Sequence, residues 1–153
     1  MKLIITVFLF ILLLYQLNFN LNFDNKKKIK KLKSKLKILI EELKKQYPTH
    51  SGINNLDNNI IIKHLPRYKN KVAYTYNKRV IYICLEDNEN ELFFILLHEL
   101  SHIITETLGH DKMYWNNFKL LLNTSIQLNL YKYKNYKINP VNYCGKFIDD
   151  TPI

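Results

Sequence analysis

"LFFILLHELSHIITETLGHDKMYW", Leu92 to Trp115, puts three histidines and two glutamates into the most apolar soluble stretch of a 153-residue chain. Ionisable groups buried without partners are expensive, so something must compensate them. The spacing says what. His98 and His102 are four residues apart; on a helix both imidazoles leave one face, about 6 Å apart along the axis. Two neutral imidazoles so placed converge on one zinc ion at about 2.0–2.1 Å each. Glu99, rotated by about 100° from His98, reaches a water beside the ion without becoming a ligand. This is the H-E-x-x-H arrangement, with glutamate as general base.

A catalytic zinc needs a third protein ligand and an open position. Glu106 lies eight residues beyond His98, about 12 Å of helical rise, too far for one ion on a straight helix. His110 is better placed, because Gly109 can adopt a left-handed conformation and turn the chain back. Asp111 is the runner-up, and is more readily an N-cap or a second acceptor behind a ligand histidine. The bland alternative is a set of core histidines with hydrogen-bond partners. His50, in a loop, and His64, on a strand, read as surface residues.

Outward from the motif, periodicity predicts a helix from Asn90 to Leu108 closed by Gly109, and another from Lys112 to about Leu130 capped by Asp111. Before them, "IIIKHL" predicts a strand ending at Pro66, and "KVAYTYNKRVIYICL" a hairpin. The hairpin strands are Val72–Tyr76 and Arg79–Leu85, turning at Asn77-Lys78. The second is apolar on both faces, as a central strand would be. "THSGINNLDNN" and the tyrosine-rich tail "YKYKNYKINPVNYCGKFIDDTPI" read as irregular. Cys84 and Cys144 form no CxxC, so neither a zinc ribbon nor a redox motif is supported, and sequence leaves their pairing open.

The N-terminal third has another character. Leu3 to Leu17 is almost wholly apolar, and extension to Phe23 brings it to the length of a bilayer core. No small-residue cleavage site follows, whereas a lysine cluster does, so residues 1–23 read as a transmembrane anchor and not a cleaved signal peptide. The positive-inside rule puts everything after it on the cytoplasmic side, with secretion after signal cleavage as the alternative. Residues 24–47 form a basic amphipathic helix, apolar at Ile29, Leu32, Leu36, Leu39, Ile40, Leu43 and Tyr47. Its lysines read as a solvated face, with anionic lipid in reach of the first of them. Lys26 to Tyr47 carries ten lysines against Glu41 and Glu42, while Pro48 onward has twelve basic against ten acidic side chains. The basicity therefore belongs to one segment, which weakens a nucleic-acid reading drawn from the net charge of +10.

"HELSHIITETLGHDKMYWNNFKLLL" resembles the WLM/SprT-like zinc metallopeptidases, whose pattern is HExxH, a short gap, a Gly-His pair, an aromatic pair and a helix. The nearest likeness is to the WLM-like metallopeptidases of large DNA viruses, in which a "YTxNK" hairpin and a strand ending in "CL" precede the motif and a "YCG" tail follows. Here these are "YTYNK" (Tyr74–Lys78), "ICL" (Ile83–Leu85) and "NYCG" (Asn142–Gly145), within a likeness spanning Asn59 to Ile153. The resemblance implies a small zincin-like α+β domain over residues 48–153, a short sheet packed on the motif helix. It assigns one zinc ion per chain to His98, His102 and His110, and the base to Glu99.

The expected activity is metalloendopeptidase cleavage of protein or peptide substrates. Substrate would lie antiparallel to an edge strand formed by Val72, Ala73, Tyr74, Thr75 and Tyr76. Tyr143 and Tyr114 are the candidates for stabilising the oxyanion. Two rivals stand beside this reading: a catalytically inert, membrane-tethered zinc-fold binding protein, and a DNA-associated protease. In cellular relatives of the group the substrates include proteins crosslinked to DNA, but no DNA-binding segment is apparent here.

Overall fold

A computed structural model describes residues 2–56, 59–67 and 71–153. The chain is mixed α+β, in the order α1 (Lys2–Gln46), α2 (Ser51–Asn54), β1 (Ile61–His64), β2 (Ala73–Tyr76), β3 (Val80–Ile83), α3 (Glu89–Ile104), α4 (Lys112–Gln127), β4 (Val141–Tyr143) and β5 (Lys146–Ile148). One sheet has the order β1-β3-β2, with β3 parallel to β1 and antiparallel to β2; β4 and β5 form a separate hairpin. The central position of β3 explains its apolar residues on both faces, and β2 is left as an edge. Asn77 and Lys78 both adopt φ near +48°, the double left-handed conformation of a two-residue turn whose twist matches the strands.

The apolar segment 1–23 and the basic amphipathic segment 24–47 share one helix: α1 runs unbroken across residue 23. Neither proline nor glycine interrupts it, so nothing in the chain terminates the helical ladder there. Its two halves differ in surroundings. The apolar side chains from Ile4 to Phe23 are exposed, and this is a helix long and apolar enough to cross a membrane, with a window of mean hydropathy 2.0 that is 0% buried. In the second half Leu32, Leu36, Leu39, Ile40 and Leu43 are buried in the core beside Phe93, Leu96 and Leu100 of α3 and Phe118, Leu121 and Leu122 of α4. Several lysines are committed to this docking: Lys28 pairs with Asp24 and Asp87, Lys31 with Glu89, and Lys35 donates to the Leu130 carbonyl.

α3 runs alongside α1 in the same direction. Lys31 meets Glu89, the Lys35 ammonium lies 5.0 Å from the centre of the Phe93 ring, and α2, just beyond the end of α1, meets the end of α3 at Ile104. The "THSGINN" segment is thus no plain loop. His50 caps α2 by accepting from the Ile53 N–H, and Gly52 lets the two backbones touch. A Cβ built on Gly52 would stand 2.0 Å from the Ile104 carbonyl oxygen. Gly52→Ala is therefore expected to destabilise the chain by about 2–3 kcal/mol, the cost of overpacking against backbone that cannot yield. Chemical denaturation measures it, and an unchanged midpoint would count against this contact.

The tail is more ordered than its composition suggests. β4 and β5 are joined by a tight turn with Cys144 and Gly145 at φ +49° and +81°. Cys84, just after β3, is disulfide-bonded to Cys144, closing 60 residues of chain. A loop of that size restrains the unfolded state by about 4 kcal/mol in the chain-entropy account.

Candidate metal centre

α3 begins at the N-cap Asn88, whose side chain accepts from the Asn90 N–H. It ends at Thr105, four residues before the Gly109 stop that periodicity predicted. The cause lies elsewhere in the chain. The Thr105 hydroxyl donates back to the Ser101 carbonyl at 2.6 Å and accepts from the Asn117 amide at 2.9 Å. Lys78, from the β2–β3 turn, places its ammonium on the Thr105 and Glu106 carbonyls, where a cation satisfies both the free acceptors and the helix dipole. Asn117 is in turn hydrogen-bonded to His50 at 3.1 Å. His50 is thus part of an internal network and not the surface residue its loop context implied.

The early stop frees residues 105–111 to fold back. Gly109 takes φ +91° with open space around it, and His110 comes to lie against the two helix histidines. Asp111 caps α4 by accepting from the Tyr114 N–H at 2.9 Å, so it is not a fourth member of the group. Glu106 points away, its carboxylate accepting from Ser51.

The three imidazoles form a compact triangle, ring centres 5.2, 5.0 and 4.9 Å apart. One ring nitrogen from each lies within 4.8 Å of the others. The Nε2 atoms of His102 and His110 are 3.2 Å apart. Two nitrogens at 2.0–2.1 Å from one tetrahedral ion stand about 3.3 Å apart, so this pair already has the separation that zinc requires. The protonation states agree. Burial, with the neighbouring His102 and His110, pushes His98 down to about 3, and burial with His110 and Lys78 pushes His102 down to about 4. Both are neutral at pH 7, as metal ligands must be. The donor set and its geometry therefore fit a zinc ion.

Glu99 stands beside this triangle, 5% exposed. Its carboxylate accepts from the Thr75 hydroxyl at 2.8 Å, and the same hydroxyl lies 3.1 Å from the Glu99 carbonyl. Thr75 was read only as part of the edge strand; the structure makes it the clamp that fixes the side chain of Glu99, and no local motif signals that. Burial pushes the Glu99 carboxyl up to about 7, against the opposing hydrogen bond from Thr75. A raised carboxyl pKa means that ionisation penalises the folded state, and the penalty grows as pH rises from about 4.5 to 7. In the metal-free protein, Glu99→Gln should be more stable than wild type by up to roughly 3 kcal/mol at pH 8. The gap should close towards pH 4.5, and the depressed His98 and His102, present in both proteins, cancel in the difference. Denaturation at several pH values in a chelator tests this; a gap independent of pH would refute it.

Neither tyrosine proposed for the oxyanion has a hydroxyl facing the cleft. The Tyr114 hydroxyl, fully buried under the rings, donates to the His98 carbonyl at 3.3 Å, and that of Tyr143 donates to the Cys84 carbonyl at 2.7 Å. Tyr114 packs against all three imidazoles, at 5.4, 4.5 and 4.4 Å between ring centres, and so positions them. The edge strand borders the cleft instead. Ala73, Tyr74 and Thr75 line it with His98, Glu99, His102 and His110, around a volume of about 570 Å³. Val72 lies just before the strand and Tyr76 ends it. A second cluster, Cys84, Glu86 and Cys144, also brings ligand types together. Its sulfurs are bonded to each other, however, and Glu86 is held by Arg67 and the Cys144 N–H.

The chain is similar to viral proteins described as uncharacterized. One from Acanthamoeba polyphaga mimivirus is 31% identical over 102 residues, covering 58% of this chain and 52% of the relative. One from Invertebrate iridescent virus 6 is 30% identical over 88 residues, covering 52% and 49%. One from Invertebrate iridescent virus 3 is 28% identical over 92 residues, covering 56% and 57%. The chain thus spans about half the length of the curated relatives it matches. No family model matches it, and no solved structure does.

Proposed function

We propose that this chain is a membrane-anchored zinc metallopeptidase of the WLM/SprT-like, zincin type. The observation that carries the reading is the joint placement of three imidazoles and a buried carboxylate beside an unpaired strand edge. His98, His102 and His110 would hold the zinc ion, and a bound zinc supplies Lewis acidity towards the scissile carbonyl. The chain's own groups do the rest. β2 offers its free backbone edge to an extended peptide lying antiparallel to it, which fixes the register of the bond to be cut. Glu99 accepts a proton from the attacking water and passes it to the leaving amine. Thr75 holds Glu99 in place through both steps, and Tyr114 keeps the imidazole rings from rotating.

The viral origin of the relatives supports placing the protein in a virion or infected-cell membrane. Two features bear on which side its domain occupies. The lysines after the apolar segment favour the cytoplasmic face, whereas a Cys84–Cys144 bond is most stable in an oxidising compartment. Protease accessibility of a C-terminal tag on sealed vesicles decides between them: accessibility supports the cytoplasmic side, and protection the lumenal one.

The test of function is metal content and casein cleavage by the full chain in detergent. About one zinc per chain together with cleavage is the expected result, and a folded chain without zinc would sink the proposal. Zinc without cleavage of any substrate would favour an inert zinc fold. Three lysines of α1, Lys28, Lys31 and Lys35, are engaged with Asp24, Asp87, Glu89 and a carbonyl of the same domain and so are not free for DNA.

A further inference from the structure

The sheet has a direction relative to the apolar helix, and two contacts give it. His64, at the end of β1, has its Nδ1 atom 3.5 Å from the Asn25 amide nitrogen, and Asp87, shortly after β3, is paired with Lys28. Asn25 and Lys28 lie just beyond Phe23, where the exposed apolar run of α1 ends. Ala73, the first residue of β2, stands opposite Ile83, the last of β3, and Ile83 stands opposite His64. The start of β2 is therefore at the foot of the domain, on the side of the apolar segment.

The other end of β2 is at the top. Tyr76 stands opposite Val80, and Lys78, in the turn between them, rests its ammonium on the Thr105 and Glu106 carbonyls just past the end of α3. α3 ends against α2, which follows the far end of α1. From Ala73 to Tyr76, β2 therefore climbs away from the apolar segment. It pairs with β3 alone in its sheet, so its other edge is open along this climb. α1 is continuous from Lys2 to Gln46, and no joint in it could reverse the sense.

A peptide antiparallel to β2 therefore descends. Its N-terminal part enters beside Tyr76, and its C-terminal part leaves beside Val72 and Ala73, towards the bilayer that would hold the apolar segment. That exit is bordered by Asp149 and Asp150, of which Asp150 is paired with Lys137. Asp149 leaves it acidic, as suits the lysines and arginines common beside membrane spans on the cytoplasmic side. We propose that the substrates are proteins of the same bilayer whose membrane anchor follows the bond to be cut, so that cleavage frees their N-terminal portion. This rests on the peptidase reading and adds a polarity to it. Water is added across the peptide bond: the new carboxylate leaves with the freed portion, and the new amine stays on the anchored stub. A protein anchored by a segment before the bond is worse placed. Its chain must climb past the Asn77-Lys78 turn and come down again, which a short spacer cannot span.

The test uses the zinc-loaded full chain in vesicles with one of two fusion substrates. Both carry the same casein-derived peptide and the same transmembrane helix, joined by a spacer of about ten residues, long enough when extended and too short to double back. In one the helix follows the peptide, and in the other it precedes it. Sharing a bilayer concentrates both alike, so their ratio isolates direction. The substrate with the following anchor should be cleaved at least about tenfold faster, while the free peptide is cleaved equally in both preparations. A second readout needs no turnover. On the Glu99→Gln chain, a photocrosslinker at the C-terminal end of the free peptide should attach near Val72 and Ala73, and one at its N-terminal end near Tyr76 to Lys78. Equal rates, a preference for the preceding anchor, or reversed crosslinks would overturn the polarity and, with the free peptide still cleaved, leave the peptidase standing. No cleavage of the free peptide would sink the peptidase reading and this proposal with it.

Discussion

Glu99→Gln is expected to lower kcat/KM for casein or a derived peptide by about 10³-fold, within the range that a positioned general base contributes, while zinc stays at about one per chain. The change is nearly isosteric. The amide oxygen still accepts from the Thr75 hydroxyl, so the side chain keeps its place. The three imidazoles are untouched, so the metal site keeps its donors. Only the proton-accepting oxygen is lost. Because the variant sheds a buried carboxylate, it should be no less stable than wild type, which separates a chemical effect from unfolding. Metal analysis, steady-state kinetics and denaturation on one preparation give the result. Activity within about tenfold of wild type would remove Glu99 from the role of base.

The second large effect concerns the metal. His110 reaches the triangle from an exposed loop, whereas His98 is on α3, so His110→Ala removes a ligand without disturbing the core. Zinc affinity should fall by at least about 100-fold, in line with the contribution of one ligand to a three-ligand site. Metal present at about a thousand times its Kd stabilises the folded state by roughly 4 kcal/mol, about 10 °C in Tm for a chain of this size. A chelator should therefore lower the melting temperature of the wild type by that amount, and that of His110→Ala by no more than about a third of it, since a 100-fold weaker site is left at about ten times its Kd. Equal chelator sensitivity in both would exclude His110 as a ligand and reopen the choice of the third donor.

The parts of this molecule that could be read from the chain are those decided within a few residues. The H-E-x-x-H spacing put His98 and His102 on one face because a helix has a fixed pitch. Asn77-Lys78 announced a tight turn, Asp111 announced a cap, and Gly109 announced the reversal that returns His110. What escaped was decided across the chain. α3 stops at Thr105 because Lys78, Asn117 and Ser101 compete for its last groups, and no periodicity encodes partners drawn from a hairpin and another helix. His50 looked exposed because its partner, Asn117, is 67 positions away. The tail lacked alternation because each of its strands is only three residues long, and it owes its order to Cys84. Thr75 appeared as one edge residue among five, and only the packing of β2 on α3 gives its hydroxyl to Glu99.

One helix serves both the apolar segment and the core, and this sets an altitude. Lys35 lies abreast of Phe93, so His98, five residues further along a helix running the same way, is level with about residue 40 of α1. That is about 25 Å beyond Phe23 at the rise of an α-helix. With the apolar half in a bilayer, the cleft hangs at that height on a stem without a hinge, and any tilt of the stem swings the cleft with it. An extended strand covers the same distance in about eight residues. On the peptidase reading proposed above, a substrate rooted in the same bilayer would meet the cleft with a bond about eight residues from its own root. The stem is also a dial: one residue added after Phe23 lifts the domain by about 1.5 Å but turns it by about 100°.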